Sequence, residues 1–119
     1  MDRIRLAVPT KGVDGISDVL SEVFARSPTF TYIDIENGEV KNVYIEENKA
    51  IELKQGAGPL VVKNLKDKEV DAVIAYELGP GAKTLLEMSG IQMIQMEAGT
   101  RVSESVKKAI KTYVASILN

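Results

Sequence analysis

Apolar residues first gather at Ile4, Leu6, Ala7 and Val8, alternating with arginine and then running on without a break until Pro9-Thr10-Lys11-Gly12. A period of two that turns fully apolar predicts a first strand entering a core. A loop through Val13-Asp14-Gly15 follows, and Ser17 is placed to cap a short helix carrying Val19, Leu20, Val23 and Phe24 on one side and ending before Ser27-Pro28. Phe30 to Ile35 and Val40 to Ile45 are rich in β-branched and aromatic residues, and the Asn37-Gly38 between them is the strongest short hairpin signal a sequence offers. Strands two and three are therefore expected to be antiparallel.

The second half changes period. After a polar connection from Glu46 to Gln55, the residues Leu60, Val61, Leu65 and Lys68 trace a helix from Pro59 with a partly apolar face. Asp71-Ala72-Val73-Ile74-Ala75 is a short apolar run of the kind found in buried parallel strands. A second helix is predicted from Pro80 through Leu85, Leu86 and Met88 to Gly90, and a fifth strand from Ile91 to Met96. Ser103 is placed to cap a last helix whose Val106, Ala109, Ile110, Tyr113, Val114 and Ile117 form one stripe, a core-packing pattern rather than a membrane surface. Helices alternating with apolar strands imply parallel pairing, and the hairpin adds an antiparallel strand. The expected fold is a three-layer α/β/α domain on a mixed sheet.

Length and composition narrow the function. At 119 residues the chain suits one domain, residues 1–119. A net charge of −2 gives no basic footprint, so no nucleic-acid partner is expected. The chain has no cysteine and no histidine, which removes the usual ligands of zinc and iron-sulfur sites and the thiol nucleophile. No metal ligand and no catalytic residue is assigned. Without a run of 18 apolar residues or a signal-peptide pattern at MDRIRLAVPT, no membrane partner is expected and the location is read as cytoplasmic.

Two stretches then stand out, GAGPLVV from Gly56 and LGPGAKT from Leu78. Gly58-Pro59 and Gly79-Pro80 each join a residue suited to an N-cap with one suited to the first helical position. Neither belongs to a nucleotide motif. A phosphate loop would need a glycine where Ala82 stands, and GAGPLV lacks the third glycine of a dinucleotide fingerprint.

In IRLAVPTKG, SEVFARSPTFTYIDIENGEV and GAGPLVVKNLKDKEVDAVIAYELGPGAKTLLEMSGI, and in the order of these blocks, the chain resembles the dinitrogenase iron-molybdenum cofactor biosynthesis family, the small domains related to nitrogenase cofactor carriers. The resemblance implies a ribonuclease H-like motif, a five-stranded sheet of order 3-2-1-4-5 with strand two antiparallel. It also implies an iron-molybdenum or other metal-sulfur cofactor, here without Cys or His ligands, and another cofactor-assembly protein as partner. Family members commonly read Ser-Glu-His-Phe-Gly-Arg where this chain has Ser21-Glu22-Val23-Phe24-Ala25-Arg26. Val23 cannot coordinate a metal.

With that topology, the Pro9–Gly15 loop and both Gly-Pro helix starts leave the carboxyl edge of the parallel strands, where ligands of open α/β sheets bind. Helix starts present backbone N–H groups and partial positive charge, which favour an anion. The expected ligand residues are Thr10, Lys11, Gly12, Gly56, Gly58, Gly79, Gly81 and Lys83, converging on one crevice for a small anionic ligand or cofactor. The same glycines also suit tight turns and close helix packing alone. Arg26 is expected to pair with Glu22 along its helix. A nuclease reading would need carboxylates to converge on metal ions, and Asp34, Asp71 and Glu77 are not expected to meet. A noncatalytic carrier and an interaction domain that has lost its cofactor are the two competing functions.

Overall fold

The computed structural model describes residues 3–118, with side chains described through Thr112. Five strands, β1 (Arg3–Thr10), β2 (Thr29–Glu36), β3 (Glu39–Glu47), β4 (Ala72–Ala75) and β5 (Gln92–Gln95), form one sheet in the order β3-β2-β1-β4-β5. β2 is antiparallel to β1 and to β3, whereas β4 is parallel to both β1 and β5. This is the α/β arrangement expected, including its reversed second strand.

Alternation along β1 sends side chains to two cores. Ala7 joins Phe30, Tyr32 and Val73 on the face covered by α1 (Ala57–Asp67) and α2 (Pro80–Met88), through Val61, Val62, Leu65 and Leu86. Leu6 and Val8 join Ile33, Ile35 and Ile74 on the face covered by α3 (Val102–Leu118), through Val102, Val106 and Ala109. Tyr113, Val114 and Ile117 of the predicted stripe lie outside the described side chains.

The hairpin forms as expected. Asn37 and Gly38 turn it with φ of 52° and 80°, the two positive values of a type I′ turn. β1 runs past its predicted end through Pro9 and Thr10, which pair with Phe30 and Thr29. Pro9 is tolerated because the side lacking an N–H faces away from β2, where its carbonyl accepts from Ser21 N at 2.8 Å.

The predicted helix after Ser17 does not form. A 3-10 turn at Gly15–Ser17 ends at Asp18, whose buried carboxylate accepts the N–H groups of Gly12, Asp14 and Val19 at 3.0, 3.2 and 2.8 Å. A side chain that captures local amides in this way competes directly with the helical ladder. Val19 and Leu20 are drawn instead into bridges with Arg101 and Thr10. α3 begins at Val102, before the Ser103 expected to cap it, because Val102 N donates to Asp18 O at 2.8 Å.

α1 also starts earlier than expected. Gly56, with φ 80°, is its N-cap, so Gly58-Pro59 lies within the first turn rather than at the cap. Proline is harmless there, since the first four N–H groups of a helix have no intrahelical acceptor. α2 starts as predicted, with Gly79 as N-cap and Pro80 first.

Candidate functional site

Both glycine-rich helix starts, and the loop after β1, open at the carboxyl edge of β1, β3 and β4. The β1–β2 connection, residues 11 to 28, crosses that edge. It is anchored from below by a closed set of hydroxyls. Thr10 Oγ1 lies 2.7 Å from Thr29 Oγ1 and 2.9 Å from Thr31 Oγ1, and Ser27 Oγ donates to the carbonyls of Thr10 and Thr29 at 2.9 and 3.0 Å. Thr10 is fully buried, so its hydroxyl serves this network rather than the surface. Gly12 is held from both sides, its N–H by Asp18 and its carbonyl by Thr29 Oγ1.

The connection divides the edge in two. A recess of about 400 Å³ has Lys11, Gly12, Thr29, Asn48, Lys49 and Glu52 in its walls. A second, of about 430 Å³, is lined by Glu22, Val23, Phe24, Glu77, Leu78 and Gly79. Lys11 Nζ stands 3.9 Å from Glu22 Oε1 and links the two. Gly56, Gly58 and Gly81 line neither, so the expected residues share an edge but not one crevice. Arg26 does not pair with Glu22 as expected. It reaches across to Ile51 O and Lys54 O, at 3.1 and 3.4 Å, and clamps the connection against the segment leading into α1.

The helix starts themselves are open. Neither N-cap has a side-chain hydrogen bond to the first turn. The first intrahelical bonds run from Leu60 N to Gly56 O and from Lys83 N to Gly79 O. Because one of the first four positions in each is a proline, three donors remain at each start, Gly56, Ala57 and Gly58 in α1 and Gly79, Gly81 and Ala82 in α2. Nothing lies within 4 Å of where a side chain at Gly58, Gly79 or Gly81 would begin. These glycines are not forced by packing against the sheet. Lys83 is exposed one turn into α2, while Thr84 Oγ1 is turned inward to Pro80 O at 3.0 Å.

A roomier recess, about 550 Å³, lies elsewhere, between α1 and the β2–β3 hairpin, with Phe30, Tyr32, Val61, Asn64, Glu46 and Lys68 among its walls. Its lysine is already engaged. Lys68 Nζ is 2.9 Å from Glu46 Oε2 and sits over the Tyr32 ring at 5.3 Å, and Tyr32 stacks on Tyr44 at 4.9 Å. Burial pushes the Tyr32 phenol well above its ordinary pKa, with Glu46 adding to the effect. Volume alone does not make this the site, since it lies away from the glycine-rich helix starts.

The carboxylates needed by a nuclease stand apart. Asp34 is bound to Arg5 at the amino edge, Asp71 Oδ2 accepts from Arg5 N there, and Glu77 follows the opposite end of β4. Among the described residues no group of three His, Cys, Asp or Glu side chains is placed to hold a metal ion. No helix among them is long and apolar enough to cross a membrane.

The fold is that of an α/β protein on a mixed five-stranded sheet of order β3-β2-β1-β4-β5, with an edge built from backbone donors instead of converging acids. Within that class the chain belongs to the dinitrogenase iron-molybdenum cofactor family, whose model matches residues 2–112. An uncharacterized protein of Methanocaldococcus jannaschii is 33% identical over 88 residues, 74% of each chain. Among solved structures, a Thermotoga protein described as NifB-like is 34% identical, with a TM-score of 0.70 over 94% of this chain and 89% of that one. The apo form of the orange protein from Desulfovibrio gigas superposes with a TM-score of 0.80 over 91% and 88% of the two chains, and at 23% identity it shows the shared fold. Val23 is 49% exposed in the recess beside Gly79. What the sequence reading missed is the organising role of Asp18 and Arg26. Arg26 binds backbone carbonyls 25 and 28 residues along the chain, which no spacing rule reports, whereas the Asp18 carboxylate takes amides within six residues and so competes locally with the helix that the apolar spacing suggested.

Proposed function

We propose that the chain is a noncatalytic carrier module that holds a small anionic ligand, a metal-sulfur or molybdenum-containing cofactor, at the carboxyl edge of its sheet. The observation that carries this reading is the pair of uncapped, sterically open helix starts at Gly56-Ala57-Gly58 and Gly79-Pro80-Gly81. Their amides and helix dipoles favour negative charge. With neither cysteine nor histidine in the chain, such a group is held by its outer atoms and its charge, not by ligation of its metal. Lys11 and Lys83 add charge, and Thr10 and Gly12 fix the loop that presents Lys11. Family membership supports this class of cargo and a cofactor-assembly protein as the partner that delivers or receives it.

A second reading, an interaction domain that has lost its cofactor, draws on the recess beside Gly79. There Val23 replaces an imidazole with an apolar surface, and Glu22 and Glu77 oppose an anion. Titration of the protein with sulfate, molybdate and tetrathiomolybdate, followed by backbone amide chemical shifts, separates the two. Shifts clustered at residues 10–12, 56–60 and 79–82 that fade as salt rises support the carrier. No shift at millimolar anion leaves the interaction domain.

A further inference from the structure

β3 is an outer strand of the sheet. Its inner edge pairs with β2, and among the described residues its outer edge pairs with no strand. It is 9 residues long, and a free edge of that length exposes a row of unpaired backbone donors and acceptors. The side chains along it are not the usual protective charges throughout. Val43 and Ile45 lie opposite Ile33 and Thr31, on the α3 face of the sheet, and Val43 is 38% exposed. The turn at Gly15 rests on both, and its neighbours Val13 and Ile16 are 67% and 44% exposed. Half of an apolar surface is present here.

We infer that this edge is a self-association surface, on which β3 pairs antiparallel with β3 of a second copy about a two-fold axis at Tyr44. Such an axis must pass through a residue paired with itself, because neighbouring pairs in an antiparallel ladder alternate between two hydrogen-bonding types. Centred on Tyr44, Val43 faces Ile45 of the second copy, Asn42 faces Glu46, and Lys41 faces Glu47. Centred one residue earlier, Glu39 would face Glu47 and Lys41 would face Ile45. Centred one residue later, Lys41 would face Lys49 and Val43 would face Glu47. Only the Tyr44 register of these three sets apolar against apolar and opposite charges against each other.

The local structure agrees with this register. An irregularity between the pairs Asp34–Asn42 and Ile35–Val40 leaves Lys41 out of the β2 ladder. The ladder with a second copy therefore runs from Asn42 to Glu46, and Lys41 reaches Glu47 from just beyond its end. In the single chain, Lys41 Nζ pairs with the exposed Glu39 at 3.7 Å, a weak surface pair that is easily exchanged. The charge order along β3, a lysine before the centre and glutamates after it, is complementary to its own reversal. That self-complementarity is what selects a second copy of this chain over an unrelated strand.

Sedimentation velocity from micromolar to millimolar protein tests the inference with three samples. The wild type should shift from monomer toward dimer as concentration rises. Lys41→Glu and Glu47→Lys, each placing like charges opposite at both ends, should each weaken association about tenfold. An equimolar mixture of these two variants restores opposite charges at both ends and should form a heterodimer at wild-type concentrations. A wild type that stays monomeric throughout, single variants that associate like the wild type, or a mixture no tighter than its components would each overturn it.

Discussion

The two edges of this sheet are built on opposite principles. At the amino edge the buried and half-buried charges are paired. Arg5 Nε and Nη2 meet the Asp34 carboxylate at 2.7 and 3.2 Å, Arg5 Nη1 donates to Lys68 O at 2.6 Å, and Asp71 Oδ2 accepts from Arg5 N at 2.7 Å. At the carboxyl edge, neutral hydroxyls close the layer beneath the surface, and the layer above keeps its backbone donors unused. Satisfied buried groups rigidify, whereas unspent donors at a solvent-facing edge are available to a ligand. On the proposed function, the contrast puts stability at one end and recognition at the other.

The largest effect should come from breaking the amino edge. Asp34→Ala leaves the partly buried Arg5 guanidinium without its partner and should cost about 2–3 kcal/mol in urea unfolding, with anion binding unchanged in what remains folded. The Arg5 hydrogen bond holds the Asp34 carboxyl below the usual aspartate range against the opposing effect of burial. The pair's contribution is therefore complete above about pH 4 and drains away as pH falls through the lowered folded value. Asp34→Asn should flatten that acid limb of the stability profile, and an unchanged limb would show that another carboxylate carries it.

Next comes the hairpin turn, also at the amino edge. Gly38 has φ 80° with open space around it, so Gly38→Val adds backbone strain without a clash and should cost about 1–2 kcal/mol. If it instead left stability intact and abolished binding, the division of labour between the edges would be wrong. At the other end, Thr10→Val removes the hydroxyl shared by Thr29 and Thr31 and should cost about 1 kcal/mol. It should also loosen the loop that carries Lys11, detectable as faster amide exchange at residues 11 to 19.

The smallest stability changes should accompany the clearest binding changes. Gly58→Val and Gly79→Val enter open space at ordinary backbone angles, so folding should change little while a bulky side chain screens the free amides. Each should weaken tetrathiomolybdate binding more than Lys11→Ala or Lys83→Ala, which remove only screened surface charge and should cost a few-fold. The reverse ranking, measured by titration calorimetry, would mean that lysine charge and not the helix starts holds the anion.

Local chemistry was enough to determine much of this molecule. The alternation of β1, the Asn37-Gly38 turn and the apolar run before Ala75 each encode their element within a few residues, because strand period and turn dihedrals are short-range properties. α2 could be read from Gly79-Pro80 for the same reason. Residues 17 to 28 could not. Their apolar spacing suits a helix, but the Asp18 carboxylate captures three nearby amides, a local competition that the spacing does not show, while Leu20 bridges Thr10 and Arg26 binds carbonyls 25 and 28 positions away, partners that exist only once the chain has folded. The strand order came through family resemblance rather than periodicity, since pairing partners leave no mark in local spacing. The sequence alone thus marked which residues carry open backbone donors and brought them to one edge. Only tertiary contacts decided that the connection crosses that edge and parts Lys11 from Gly79, because a division of space depends on where distant segments come to rest.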